Sequence, residues 1–201
     1  YGKAVYIDHP NGTTSVYAHL KNFSPKIESY IKEAQYEKES YVIEKFPKNE
    51  LAVLKGEVIG FSGNTGGSSG PHLHFEIRDT KNQMPFNPMI FNIDVVDTKK
   101  PVIQKLFLIH ENNFGEDIIT QKIKLEKISD GLYKAPKIYT SGKIGIGLQM
   151  YDNQDLSLFN KNGIHSIKIF MDDKIISDYN YNNIKFDDSQ YLNLLIDYKE
   201  F

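Results

Sequence analysis

The chain has 201 residues, of which 40% are hydrophobic and 25% are charged, and this composition is ordinary for a globular protein. The formal net charge of −2 gives no overall positive field that would attract nucleic acid, and no apolar run approaches the roughly 20 residues that cross a bilayer. The absence of cysteine excludes disulfides and thiolate zinc sites. We therefore expect neither a nucleic-acid partner nor a membrane span.

The chain opens on a predicted β-hairpin. Residues 4–7 and 14–17 are rich in β-branched and aromatic side chains and are interpreted as two strands. Asn11 and Gly12 between them suit a tight turn with positive φ. Because the sequence starts abruptly in a strand, we expect that an earlier part of the same sheet is missing from it.

A helix and a second pair of strands are predicted next. In residues 25–39 apolar side chains recur at helical spacing among Lys and Glu, after a Ser-Pro start, which indicates a short amphipathic helix inserted between strands. Residues 51–63 return to strand periodicity. The Gly- and Ser-rich loop "GNTGGSSGP" then leads into the strand "HLHFEIRD" at residues 72–79, and residues 80–101, with several Asn and Pro, resemble a linker.

The remaining hundred residues are also rich in strand candidates separated by turn signals. The candidates are "VIQKLFLI", "IITQKIKLEKI", "KIGIGLQMYD", "HSIKIFMDD" and "QYLNLLIDY". Short strands in series over this length are typical of an immunoglobulin-like sandwich. The sequence thus predicts a mainly β protein, with an antiparallel sheet domain and a short inserted helix at residues 1–96, followed by an immunoglobulin-like β-sandwich at residues 97–201.

Two histidines on the predicted strand are the first candidates for chemistry. Side chains at positions i and i+2 of a strand share a face, so His72 and His74 point the same way while Leu73 and Phe75 point towards a core. Two converging imidazoles can bind zinc, or one can bind metal while its neighbour handles protons. Two polar residues on a solvated strand face would give the same pattern, and the spacing alone leaves both interpretations open.

His19 and the glycine-rich loop add to this pattern. His19 lies at the far end of the predicted hairpin, where it could reach the same cleft; the alternative is a surface histidine next to a buried Leu20. The glycines of the loop permit close backbone approach and could offer amides to a bound peptide or an oxyanion. The loop is not a phosphate-binding loop, because it leads into a strand and no Lys follows its last glycine.

Three ordered motifs carry a family resemblance. "YGKAVYIDHPNGTTSVYAHL", "KGEVIGFSGNTGGSSGPHLHFEIRD" and "PFNPMIF", spread over residues 1 to about 91, resemble the lysostaphin-type zinc endopeptidases that cut peptidoglycan cross-bridges. The sequence looks most similar to secreted members from Bacteroidetes-type bacteria, which also carry a helical insertion and a downstream β-sandwich.

The resemblance implies a role for each of the three histidines. His74 would be a zinc ligand, His72 a catalytic residue beside the metal and its water, and His19 a second catalytic residue that helps to bind the water or stabilise the oxyanion. The family's two other zinc ligands, in the spacing HxxxD, do not occur in this sequence upstream of the hairpin. Supply of these ligands by another chain and loss of the metal are the two alternatives, but because the sequence begins within a predicted sheet, we expect that the N-terminal part of the peptidase domain is missing from this chain.

The resulting expectation is a zinc-dependent endopeptidase acting on peptidoglycan peptides, located in the periplasm, at the outer membrane or outside the cell. The β-sandwich would be an accessory module with a possible envelope protein partner. The alternative is a non-catalytic cell-wall-binding or scaffold protein on the same fold. His9, His110 and His165 lack a partner motif, and we expect them to be structural or exposed, with no metal site in the second region.

Overall fold

A computed structural model describes residues 1–47, 49–111, 118–155 and 160–198. The chain forms two compact units, Tyr1–Pro88 and Met89–Phe201. Both are mainly β with antiparallel pairing, which confirms the predicted fold class. No helix within the described ranges is long and apolar enough to span a membrane. The identity of the units as a peptidase domain and an immunoglobulin-like sandwich stays a prediction.

The first unit is built around one long central strand. Its elements, as far as the structure describes it, are β1 (Lys3–Asp8), β2 (Thr13–Phe23), α1 (Pro25–Glu37), β3 (Gly60–Ser62), β4 (His74–Asp79) and β5 (Pro85–Phe86). Strand β2 pairs with β1 along one edge and with both β3 and β4 along the other, and β5 pairs with β4. Because β4 has strands on both sides, its side chains are held on a rigid, partly buried surface.

The core of this unit lies on β2 and under α1. Val16, Ala18 and Leu20 are buried on the central strand, and Ile27 and Ala34 are the buried residues of the helix. The predicted inserted helix is confirmed. It begins directly after Ser24 with a proline in its first turn, where the missing N–H has no helical partner to lose.

The first hairpin is confirmed, with a turn somewhat wider than the predicted one. The amide of Gly12 donates to the carbonyl of His9 at 3.1 Å, and the amide of His9 donates to the carbonyl of Thr13 at 2.8 Å. Gly12 has φ of 80°. Pro10 has a fixed negative φ that suits the second position of such a turn, so the left-handed residue comes at its end.

The strand predicted over residues 51–63 is wrong for most of its length. Only Gly60–Ser62 pairs with β2, and residues 51–59 form turns and irregular structure. Leu54 and Val58 are largely exposed, and Gly56 has φ of 87°. Residues 51–59 have the apolar pattern of a strand, but no neighbouring strand that the structure describes pairs with their backbone groups, so they do not form one.

The second unit consists of small antiparallel sheets. Its described strands are β6 (Val102–Glu111), β7 (Ile118–Ile123), β8 (Glu126–Ser129), β9 (Leu132–Lys134), β10 (Ile144–Tyr151), β11 (Ser166–Met171) and β12 (Lys174–Asn180). They pair as β10-β6-β7, β8-β9 and β11-β12, and Phe107, Leu108 and Ile123 are buried. The last predicted strand, at residues 190–198, is wrong, because Ser189–Leu195 forms a 3₁₀ helix.

Candidate functional site

His19 occupies an irregular position on the central strand. The pairing of β1 with β2 runs regularly up to Val5 and Tyr17 and then shifts, so that Lys3 pairs with Leu20. His19 falls in this irregular step, with φ of 57°. The amide of His19 donates to the carbonyl of Tyr1 at 3.0 Å, and its carbonyl accepts the amide of Thr65 at 3.4 Å. The irregularity is a β-bulge, and hydrogen bonds with the backbones of Tyr1 and Thr65 stabilise it.

The bulge decides which way the His19 ring points. Ala18 pairs with His74, so these two residues share a face of the sheet, and the next residue of a regular strand would point to the opposite face. A bulge re-aims the side chain that follows it. The ring of His19, 7% exposed, therefore turns towards the face that carries His74.

The structure brings all three candidate histidines together. The ring centroids of His19 and His72 lie 4.9 Å apart, and those of His19 and His74 lie 5.4 Å apart. His72 precedes β4 and is placed by an isolated bridge to Gly63, where the His72 amide donates to the Gly63 carbonyl at 3.0 Å. The expectation that Leu73 points into a core is wrong, since it is 48% exposed beyond the end of the strand.

Carbonyl groups orient two of the three rings. Nδ1 of His19 lies 2.8 Å from the carbonyl oxygen of Thr65, and Nδ1 of His72 lies 2.8 Å from the carbonyl oxygen of Gly70. A carbonyl oxygen accepts and cannot donate, so Nδ1 must carry the proton in both rings. In the neutral imidazole the other nitrogen, Nε2, then keeps its lone pair. His19 and His72 thus each offer Nε2 as a base or a hydrogen-bond acceptor.

His74 is oriented through its opposite nitrogen. Its Nε2 lies 2.5 Å from Oε1 of Glu76, and the second carboxylate oxygen, Oε2, accepts a hydrogen bond from Nε of Arg78 at 2.7 Å. Because a carboxylate accepts, Nε2 of His74 carries the proton and Nδ1 keeps the lone pair. The three imidazoles therefore offer two Nε2 atoms and one Nδ1 atom.

Glu76 is an ionised carboxylate in a partly buried position. Burial, the largest single effect, raises its pKa, but the hydrogen bonds from Arg78, His74 and Tyr1 and the charge of Arg78 together lower it by more, so the net pKa lies below the ordinary glutamate value. Arg78 is itself 7% exposed, and its Nη2 donates to the Tyr1 hydroxyl at 2.9 Å. A charge-assisted network of this kind fixes the side chains that it joins.

The glycine-rich loop packs closely on the site at two points. A Cβ at Gly63 would lie 2.4 Å from the amide nitrogen of Lys21, and a Cβ at Gly66, where φ is 76°, would lie 2.3 Å from the amide nitrogen of Gly2. A Cβ at Gly67 or Gly70 would meet nothing within 4 Å. The first two glycines allow the loop to lie against β2 and the chain start, which places the Thr65 carbonyl on His19.

Sequence reasoning missed the network beyond His74. Glu76 and Arg78 continue the i, i+2 spacing that His72 and His74 begin, so all four side chains share one face of the strand. Titratable residues at every second position of a predicted strand could have indicated this network. Tyr1 and Thr65 gave no comparable signal, because their contacts join residues more than 40 positions apart.

The other histidines lie apart from this cluster in the sequence and in their contacts. His9, at the hairpin turn, is exposed, and its Nε2 lies 2.8 Å from Oγ of Ser15. His110 lies on β6 of the second unit, and His165, also exposed, has Nε2 2.5 Å from Oδ1 of Asn182. Their roles as structural or exposed residues stay predictions.

The side chains present fit one position of a zinc site. A histidine that binds metal usually donates its second ring N–H to a carboxylate or carbonyl, and His74 makes this bond to Glu76. Among the residues that the structure describes, no group of three His, Cys, Asp or Glu side chains is arranged to hold a metal ion. A catalytic zinc typically has three protein ligands, so His74 would need ligands besides those described.

Comparisons with known proteins show similarity to peptidases. The profile of Peptidase family M23 matches residues 44–88. The chain is 42% identical over 89 residues to the DD-carboxypeptidase/endopeptidase Mpg of Neisseria meningitidis serogroup B, and 43% identical over 89 residues to the protein of the same name in Neisseria gonorrhoeae. Each alignment covers 44% of this chain and 15% of the relative.

The chain thus spans a small part of the curated relatives that it matches, and no solved structure matches it. The profile match includes the glycine-rich loop and the whole of β4, with His72, His74 and Glu76. The similarity to Peptidase family M23, the lysostaphin-type peptidases, therefore lies in residues 44–88 of the N-terminal unit.

Proposed function

We propose that this protein is a zinc-dependent endopeptidase that hydrolyses peptidoglycan cross-link peptides. The match to Peptidase family M23 supports peptide hydrolysis, and the name of the Neisseria relatives, DD-carboxypeptidase/endopeptidase, supports a peptide of the cell wall. Since this substrate lies outside the cytoplasmic membrane, the proposed location is the periplasm, the outer membrane or the cell exterior. The second unit is proposed to be an accessory module that contacts an envelope partner.

The observation that carries this proposal is the convergence of three imidazoles from two distant segments. His19 comes from the bulge on β2, His74 is the first residue of β4, and His72 lies two residues before it. Each has one ring nitrogen bonded to an acceptor, so the remaining nitrogen is defined in every case. Polar residues on a solvated strand face need no such fixed orientation, so this arrangement favours a functional site.

The proposed roles follow from these orientations. His74, with Nδ1 unprotonated, would hold the metal. When bound, zinc acts as a Lewis acid and makes water a nucleophile near neutral pH. His72, with its unprotonated Nε2, would take a proton from the attacking water, and His19, when protonated, would stabilise the negative charge of the tetrahedral intermediate.

A second candidate function rests on a different observation. The described residues do not form a three-ligand group for a metal ion, and one imidazole does not hold zinc tightly. A non-catalytic protein that binds the cell wall, or that acts as a scaffold for an envelope complex, would have the same fold and would not need the other ligands. The coding sequence upstream of Tyr1 separates the two candidates: an HxxxD pair there favours the enzyme, and its absence from an existing upstream region favours the binding protein.

The direct test is digestion of purified peptidoglycan by the full-length protein. New peptide termini would be detected by mass spectrometry, with and without a chelator, and after restoring zinc. We expect release that needs the metal and that His74→Ala abolishes, while His165→Ala, a matched removal of an exposed histidine in the second unit, leaves it unchanged. No release by protein carrying a full zinc complement would contradict the proposed function and favour the binding protein.

A further inference from the structure

Glu76 uses both of its carboxylate oxygens within the site. Oε1 lies 2.5 Å from Nε2 of His74, and Oε2 accepts the Nε–H of Arg78 at 2.7 Å. These three residues lie at alternate positions of β4, which is paired on both sides. The carboxylate therefore stands between a histidine of the candidate site and a buried guanidinium.

Arg78 is held in place on its far side. Its Nη2 donates to the Tyr1 hydroxyl at 2.9 Å, and its guanidinium lies 5.7 Å from the ring centroid of Tyr1 and 5.5 Å from that of Tyr6. A guanidinium has five N–H donors and no acceptor. Whatever atom Glu76 presents to Arg78 must therefore be an acceptor, and the orientation of the carboxyl group is fixed by the arginine.

Tyr1 also limits the movement of the His74 ring. The two ring centroids lie 5.2 Å apart, and the ring planes meet at 84°, an edge-to-face arrangement. The imidazole is thus held at Nε2 by a carboxylate and at one side by an aromatic ring. The nitrogen that remains for the site is Nδ1.

We infer that Glu76 is a positioning residue, which sets the proton of His74 on Nε2 and so keeps the Nδ1 lone pair available for a metal ion. Arg78 and Tyr1 support this role by fixing the carboxylate and the ring. The use of the Nδ1 lone pair for zinc rests on the proposed function. The tautomer itself does not, because it follows from the hydrogen bonds of this chain alone.

Replacement by glutamine gives a specific expectation. In Glu76→Gln the amide oxygen must face Arg78, since the arginine offers only donors, and the amide NH₂ group then faces Nε2 of His74. An NH₂ group needs an acceptor, so Nε2 would lose its proton and Nδ1 would gain it. The variant keeps the size of the side chain and is expected to reverse the tautomer.

The test is NMR of the ring nitrogens in the full chain with ¹⁵N-labelled histidine, at a pH where the imidazoles are neutral. In the wild type, His74 should carry its proton on Nε2, whereas His19 and His72 should carry theirs on Nδ1, which provides an internal reference. Glu76→Gln should move the His74 proton to Nδ1. Glu57→Gln is the matched control, because Glu57 is exposed and contacts Lys26 and the Leu54 amide.

A wild-type His74 with its proton on Nδ1, or a tautomer that Glu76→Gln leaves unchanged, would overturn the inference. Should Glu76→Gln fail to fold, Glu76→Asp replaces it: the shorter acid keeps the charge, cannot span both partners, and should give a mixture of His74 tautomers. A single unchanged tautomer in that variant would likewise overturn the inference.

A second readout is zinc affinity, measured by calorimetric titration of the full-length protein. Loss of the orienting carboxylate should weaken binding by roughly 10- to 100-fold, and Glu57→Gln should leave it unchanged. An affinity that Glu76→Gln does not alter would overturn the link between Glu76 and the metal. If the wild-type protein binds no zinc, the proposed function fails, and the tautomer measurement alone decides the role of Glu76.

Discussion

The imidazole rings of His19 and His74 lie with their centroids 5.4 Å apart and their planes nearly perpendicular, at 87°. Their residues are 55 positions apart in the sequence and lie on neighbouring strands, and a bulge at His19 is what turns its ring to the face of His74. The proposed chemistry depends on this contact between the two imidazole rings. The roles proposed for the three rings can be separated by experiment.

Substitution of the histidines should distinguish a metal ligand from a proton-transfer residue. We predict that His74→Ala loses bound zinc together with activity, because it removes a ligand. His72→Ala should keep the zinc and lower kcat by about 10²- to 10⁴-fold, the usual effect of removing a general acid–base group. Zinc content measured beside steady-state kinetics checks both, and loss of zinc from His72→Ala would show that His72 is a ligand instead.

The close packing of the glycine-rich loop predicts a contrast between two neighbouring glycines. Gly66→Ala should destabilise the first unit by about 1–3 kcal/mol, because φ is 76° and the new Cβ would meet the Gly2 backbone. Gly67→Ala should be neutral or stabilising by up to about 1 kcal/mol, since its Cβ meets nothing within 4 Å. Urea denaturation of the two variants measures the difference. Equal effects would contradict the described loop packing.

The side chain of Thr65 joins the loop to both strands beneath it. Its hydroxyl accepts the Lys3 amide at 3.0 Å and donates to the Leu20 carbonyl at 2.8 Å. Thr65→Val keeps the shape but leaves both backbone groups without this partner, so we predict a loss of about 1–3 kcal/mol in the free energy of unfolding. Thr13→Val is the control, because its hydrogen bond to Asn11 is exposed, and it should cost less than half as much if the account is right.

Much of the local structure could be predicted, and the reasons are visible in particular residues. The turn at Gly12 and the helix begun by Pro25 depend on short-range chemistry; the helix forms as expected, and the turn is somewhat wider than predicted. Residues 51–59 and 190–198 carry strand-like composition, but no neighbouring strand pairs with them in the described structure, so they adopt other conformations. Strand composition alone does not supply a hydrogen-bond partner.

The site was harder to predict than the strands that carry it. The spacing of His72 and His74 indicated a shared face, but the bulge at His19 depends on backbone contacts with Tyr1 and Thr65 that no local pattern encodes. The tautomers follow from acceptors such as the Thr65 carbonyl, which tertiary structure alone brings to the ring. For the second unit, the immunoglobulin-like assignment stays a prediction.

A pH-dependent contact is predicted in the second unit. The amide of Thr98 donates to Oδ2 of Asp155 at 2.6 Å and its hydroxyl to Oδ1 at 2.9 Å. The hydrogen bond from the Thr98 amide, followed by that from its hydroxyl, lowers the pKa of Asp155 below its ordinary 3.8. A depressed carboxyl pKa stabilises the fold above the unfolded-state pKa, and this stability is lost as the pH falls through the folded-state pKa.

Thr98→Val removes the hydroxyl donor and keeps the amide donor, so the pKa of Asp155 should rise part of the way towards 3.8. Titration of the Asp155 carboxyl carbon by NMR measures the change. The signal of Asp130, whose carboxylate lies 3.1 Å from Nζ of Lys127 on an exposed turn, serves as an internal chemical-shift reference. A pKa of Asp155 that is the same in both proteins would show that the hydroxyl bond does not contribute.

Anomalous X-ray scattering at the zinc edge, from crystals of the full-length protein, tests the role proposed for His74. We predict a zinc peak within coordination distance of Nδ1 of His74, on the face shared with His19 and His72. Zinc bound elsewhere, or bound through Nε2 of His74 with Glu76 displaced, would contradict it.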